Sequence, residues 1–163
     1  MGFGFFRNRN DSFTSPAPVS DMIQSATPAV PMTEKLAHDL DALAVTVRAS
    51  GADIPTAVYS KIRVIDDVLR SLLKYIAVQG CSAEQEFFLN AMVTDYVPTA
   101  LKTYLNLSSA DKGDNTPSAL LLMKQYDTLE DKARDLAQMV RSGAIAELST
   151  QANFIDAKFA HNS

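Results

Sequence analysis

The chain has 163 residues and a mass of 17.7 kDa, and its 47% hydrophobic content is enough for one domain with a real core plus a tail. Its 15 basic and 19 acidic residues are mixed along the sequence and sum to a charge of −4, so no basic stripe marks a nucleic-acid footprint and neither DNA nor RNA is expected as a partner. The single cysteine, Cys81, excludes an internal disulfide framework and fits a reducing compartment.

Residues 1–31 carry Pro16, Pro18, Pro28 and Pro31 among Ser, Thr and Asn with no apolar period, which predicts a disordered tail ahead of a domain over residues 32–160. The start of that tail is unusual, because Phe3, Phe5 and Phe6 precede Arg7 and Arg9. Rings entering a headgroup boundary while arginines meet anionic lipid would give weak attachment, about 2 kcal/mol per ring, so these five residues are candidate contacts for a membrane or a partner. The competing expectation is an end that folds onto its own domain or stays free. The sixth position lacks the Ser or Thr of a myristoylation signal. No apolar run approaches the ~20 residues that span a bilayer, and no secretory leader pattern is present, so a cytoplasmic location is expected, with the inner membrane face as its peripheral variant.

From Thr33 onward the pattern is helical, and the alternation of a strand never occurs. Leu36, Leu40, Leu43 and Val47 form one face of a first helix that is expected to end at Ser50-Gly51 with glycine in a left-handed cap. A second runs from Pro55 to Gln79 with Val58, Ile62, Ile65, Leu69, Leu72 and Ile76 on its stripe, widened by Val68 and Leu73, and Gly80 as terminator. Ser82-Ala83-Glu84-Gln85 reads as a capping box that opens a third helix. Pro98 disfavours a helical Val97 and suits a first turn, so the third helix is expected to end near Tyr96 and a fourth to begin at Pro98, carrying Leu101, Tyr104 and Leu105.

Residues 108–115 form a polar loop, after which Thr116-Pro117 caps a fifth helix with Leu122, Tyr126, Leu129, Ala133, Leu136 and Val140 in coiled-coil steps. Ser142-Gly143 reads as a break, making Ile145, Leu148, Ala152, Ile155 and Phe159 a sixth helix folded back as a hairpin. The expected fold is all-α, a bundle of five or six mostly antiparallel helices.

Reactive chemistry finds little support. His38 and His161 have no Cys, Asp or Glu at ligand spacing, so no metal or other cofactor is expected, and no nucleophile elbow or phosphate loop is present. Asp127, Asp131 and Asp135 recur every fourth residue beside Lys124, Lys132 and Arg134, the pattern of a solvated charged face; Asp66-Asp67 is the other acidic grouping. The five tyrosines suit a core edge as well as a pocket. Around the Pro98 joint, Asp95, Tyr96, Pro98 and Tyr104 are the remaining candidate site residues.

The run Tyr96-Val97-Pro98-Thr99-Ala100-Leu101-Lys102-Thr103-Tyr104-Leu105, with a two-helix hairpin after it, resembles the core of the bacterial 5-bromo-4-chloroindolyl phosphate hydrolysis family, also associated with toxic-anion (tellurite) resistance. Gln151 to Phe159 is similar to the ending of actinobacterial proteins of unknown function, and the resemblance spans about residues 85–160. It maps no catalytic residue onto this chain. It implies a helical, membrane-associated or stress-linked accessory protein, in which an aromatic-basic N-terminus like Phe3 to Arg9 is at home. The function expected is therefore a non-catalytic interaction or scaffold role with a protein partner, an anionic membrane surface being the second candidate. The alternatives are a hydrolase of a phosphate or other anion that uses Asp95 and the nearby tyrosines, or a sensor with a ligand pocket between helices.

Overall fold

A computed structural model describes residues 30–160, and among them every regular element is helical. Pro31 precedes α1 (Met32–Ala49) and its carbonyl accepts from the amides of Glu34 and Lys35; Pro55 likewise precedes α2 (Thr56–Gln79) and accepts from Tyr59 at 2.9 Å. A proline just outside a helix gives up no bond, and its fixed φ aims the chain into the first turn. The stripes read from sequence are the buried faces: Leu36, Leu40, Leu43 and Val47 on α1, and Val58, Ile62, Ile65, Leu69, Leu72, Leu73 and Ile76 on α2. Gly80 ends α2 at φ 76°, in the left-handed region. At the end of α1 the expected left-handed glycine is not used, since Ser50 (φ −100°) closes the helix and Gly51 lies outside the positive-φ region.

The capping box opens α3 (Ala83–Ala91) in full. Gln85 N–H donates to Ser82 Oγ at 3.2 Å and Ser82 N–H to Gln85 Oε1 at 3.0 Å. The expected break at Pro98 does not occur. A π-helical segment (Met92–Tyr96) carries α3 directly into α4 (Val97–Leu105), with Tyr96 and Val97 both in the right-handed helical region. Two constraints meet here. Proline in a helix interior lacks an N–H and crowds the carbonyl four residues back, that of Thr94, and a wider turn relieves both. Buried Leu89, Val93, Val97 and Leu101 also recur in steps of four, which drift off one face of a 3.6-residue helix, and local underwinding brings them back into line.

The joint thus bends the ladder without ending it. Beyond it, a 3₁₀ turn (Ser109–Asp111) and Gly113 lead to Thr116, whose Oγ1 accepts from Ala119 N–H at 3.2 Å and caps α5 (Pro117–Ala160). The hairpin expected at Ser142-Gly143 is absent, and α5 is one helix of 44 residues. Among the described glycines only Gly80 and Gly113 take positive φ, so Gly143 stays helical at a cost of about 1 kcal/mol relative to Ala instead of reversing the chain.

Four rods result, in place of five or six helices: α1, α2, the joined α3–α4, and α5. Arg70 reaches Asp41 at 2.8 Å, consistent with α1 running against α2, whereas Lys61 meets Asp127 at 2.9 Å and Asp67 and Ser71 lie beside Arg134 and Arg141, so α2 and α5 run together. Phe88 sits by Leu136 and Val97 by Tyr126, so α3–α4 runs against α5. The alternation is up, down, up, down around one core, with α2 against α5 as its most extensive packing.

Candidate functional site

Of the four residues proposed at the joint, only Asp95 and Tyr96 share a surface. Asp95 and Tyr96 face a groove of about 480 Å³ against Gln125, Thr128 and Leu129 of α5. Thr99 Oγ1 donates to Asp95 Oδ1 at 2.9 Å, and Tyr96 meets Phe88 edge-to-face with ring centroids 6.5 Å apart. Pro98 faces the other way, into a groove of about 540 Å³ between α1 and the joint, shared with Lys35, Asp39, Thr46, Val93 and Lys102. Tyr104 is core: it is buried, and its hydroxyl accepts from Gly113 N–H at 3.1 Å, which ties the loop before α5 to the end of α4. An Asp95-centred constellation with the tyrosines is therefore not assembled.

The residue that organises the joint is one whose role sequence reasoning missed. Tyr126 is fully buried on α5 and donates from its hydroxyl to the carbonyl of Val97 at 2.8 Å, at the turn that Pro98 disturbs. Burial pushes its ionisation well above the ordinary tyrosine range, and the amide of Leu101 pulls partly back. A polar tip in the middle of an apolar stripe was the available signal, since a buried tyrosine hydroxyl needs a partner.

The charged residues are structural. Lys61 bridges α2 to Asp127 at 2.9 Å and Glu130 at 2.7 Å, and Glu130 also takes Arg134 at 2.8 Å. The hydrogen bonds to Glu130 and Asp127 push Lys61 up to about 12, and those from Lys61 and Arg134 hold Glu130 below its usual range. Asp127 thus finds its cation on α2 instead of on its own helix face, and Glu130, absent from the acidic grouping read from sequence, is the centre. Asp66 and Asp41 share Arg70 in the same manner between α1 and α2. Burial, then the Glu86 charge, pushes the Cys81 thiol up, away from thiolate reactivity. Among the described residues no three His, Cys, Asp or Glu side chains gather as a metal site, and no helix is long and apolar enough to cross a membrane.

What stands open is apolar surface. Leu120 and Leu121 are exposed near the start of α5, and Phe87, Met139, Ile145, Leu148 and Ile155 towards its other end. The grooves flanking α5 there measure about 700 Å³ on the α3 side and about 550 Å³ on the α2 side. Phe3, Phe5, Phe6, Arg7 and Arg9 lie outside the described residues. No protein-family model, no curated protein and no solved structure matches the chain.

Proposed function

We propose that this protein is a non-catalytic helical interaction module, a scaffold of the bacterial cytoplasm that reaches the inner membrane face through Phe3, Phe5, Phe6, Arg7 and Arg9. The observation that carries it is the exposure of Leu148 and Ile155 on α5, beyond Ile145 at the edge of the α2-side groove. Large apolar side chains are left in water where binding repays them. The kinship of residues 85–160 with the toxic-anion-resistance accessory proteins belongs to the same proposal.

Two measurements test it. A photo-cross-linking residue at Ile155 is expected to give an adduct in cells while one at Thr150, well around the helix, gives none; equal labelling, or no adduct at Ile155, refutes a contact surface. Co-sedimentation with anionic liposomes, full chain against a chain beginning at Met32, tests the membrane arm: salt-sensitive binding lost with the first 31 residues is expected. A second reading, a small-molecule sensor, has the groove of about 540 Å³ at Pro98 in its favour and predicts a ligand-dependent rise in melting temperature that Thr46→Trp abolishes.

A further inference from the structure

Because the helical ladder does not break at Pro98, Asp95, Thr99 and Thr103 recur every fourth residue along one uninterrupted edge, with Tyr96 beside them. That edge faces Gln125 and Thr128 of α5 across the groove of about 480 Å³, a size within the roughly 300–1,000 Å³ of small-molecule sites. Its apolar members, Ala100 and Leu129, are half-buried against the core and form its base. No Lys, Arg or His lines it, and Asp95 is its one charged group. The grooves at Pro98 and on either side of α5 further along each carry Lys or Arg.

Hydrogen-bonding capacity is left over on both walls. The 2.9 Å bond from Thr99 Oγ1 orients the Asp95 carboxylate by Oδ1 and leaves Oδ2 to accept. Thr128 Oγ1 donates to the Lys124 carbonyl at 3.1 Å and keeps its own lone pairs. Tyr96, Thr103 and Gln125 add two hydroxyls and an amide that bond to no other described side chain or backbone group. Tyr96 is 45% exposed, and the edge-to-face contact with Phe88 steadies its ring as an apolar platform beside these groups.

We propose that this groove binds an uncharged saccharide. A pyranose ring carries C–H groups on its faces, which pack on an aromatic ring, and hydroxyls at its edge, which both donate and accept. Tyr96 answers the first, and Asp95, Thr103, Gln125 and Thr128 answer the second from both sides. A phosphate or carboxylate would meet the Asp95 charge with no cation to offset it. An ammonium only donates, and would leave the Gln125 NH₂ without an acceptor. The groove is open to water along one side and covers part of a sugar ring, so affinity is expected in the millimolar range.

Nuclear magnetic resonance titration of the isotope-labelled full chain with methyl α-glucopyranoside, methyl β-galactopyranoside, N-acetylglucosamine and cellobiose tests the site. At least one of these sugars is expected to give saturable amide shifts confined to residues 95–103 and 125–129. Tyr96→Ala is expected to weaken that binding about tenfold and Thr103→Val about fivefold. Thr103 is exposed, so Thr103→Val keeps the fold even if Tyr96→Ala, which also loses the Phe88 contact, does not; circular dichroism checks both. No saturable shift with any of these sugars, shifts undiminished in a folded variant, or a stronger response to n-butylammonium chloride or sodium phosphate at equal concentration overturns the proposal.

Discussion

Tyr126→Phe isolates one hydroxyl at the point where the helical ladder is weakest. The ring stays, so no cavity forms, and only the 2.8 Å bond to the Val97 carbonyl is lost. A neutral hydrogen bond contributes about 1 kcal/mol net, and a carbonyl left wholly unpaired in the core would raise the loss towards ~3 kcal/mol. Val97 O sits in a helical turn that offers it the Leu101 amide once the hydroxyl has gone, so the lower figure applies. For a chain of this size that is a fall of about 2–4 °C in melting temperature. Urea unfolding followed by circular dichroism should show a lower midpoint with the slope unchanged. Tyr126→Ala, which removes the ring, should cost about 3–5 kcal/mol, the range for a large aromatic deleted from a core. An ultraviolet titration adds a second readout, because burial delays the ionisation of Tyr126 in the folded protein and that late step should vanish in Tyr126→Phe. Since burial raises that ionisation above the unfolded value, its contribution to stability is complete below about pH 10 and is lost as pH rises further. If Tyr126→Phe left the midpoint unmoved, the hydroxyl would not be what holds α4 to α5.

Three further substitutions probe the rest of the fold. Gly143→Ala should stabilise by about 0.4–1 kcal/mol and raise helical circular dichroism, because an added Cβ meets nothing within 4 Å and φ is already helical; a loss would restore the hairpin. Leu136→Ala, 1% exposed on the buried face of α5, should cost about 2–5 kcal/mol in urea unfolding, and a cost near zero would remove α5 from the core. Glu130→Gln should flatten the acid limb of the stability curve: with its folded ionisation lowered, Glu130 stabilises above about pH 4.3 and that contribution is lost on acidification, so an unchanged acid limb would show the Lys61–Glu130–Arg134 cluster to be inert.

The all-α class and the buried faces of α1 and α2 were legible because periodicity reports directly which residues leave water. The capping box at Ser82 and the Thr116 cap were legible because each is a local hydrogen-bond pattern set by neighbouring residues. The two boundaries misread, at Pro98 and Gly143, depend on what the rest of the molecule does with a weak local preference. Pro98 disfavours an α-helical turn by a few kcal/mol, and the buried run from Leu89 to Leu101 outweighs that once a π turn clears the Thr94 carbonyl. Gly143 costs about 1 kcal/mol in a helix, which is not enough to turn a chain that has no left-handed residue there. The joint residues were found but their grouping was not, since Asp95, Pro98 and Tyr104 point to three different surroundings that only the packed helix defines.

Reading Gly143 as helix instead of turn changes what the last apolar residues mean. Inside a hairpin, Ile145, Leu148 and Ile155 would be core and their period would be fully explained by the bundle. On a continuous α5 the same residues are exposed, at 65%, 67% and 52%, whereas Leu136 and Val140 are buried. One set is buried by folding, and the other stays exposed. That difference is testable: Leu136→Ala should lower stability, and Leu148→Asp should leave the melting temperature unmoved. A chain in which both substitutions lowered stability alike would have its C-terminal stripe packed on its own bundle after all.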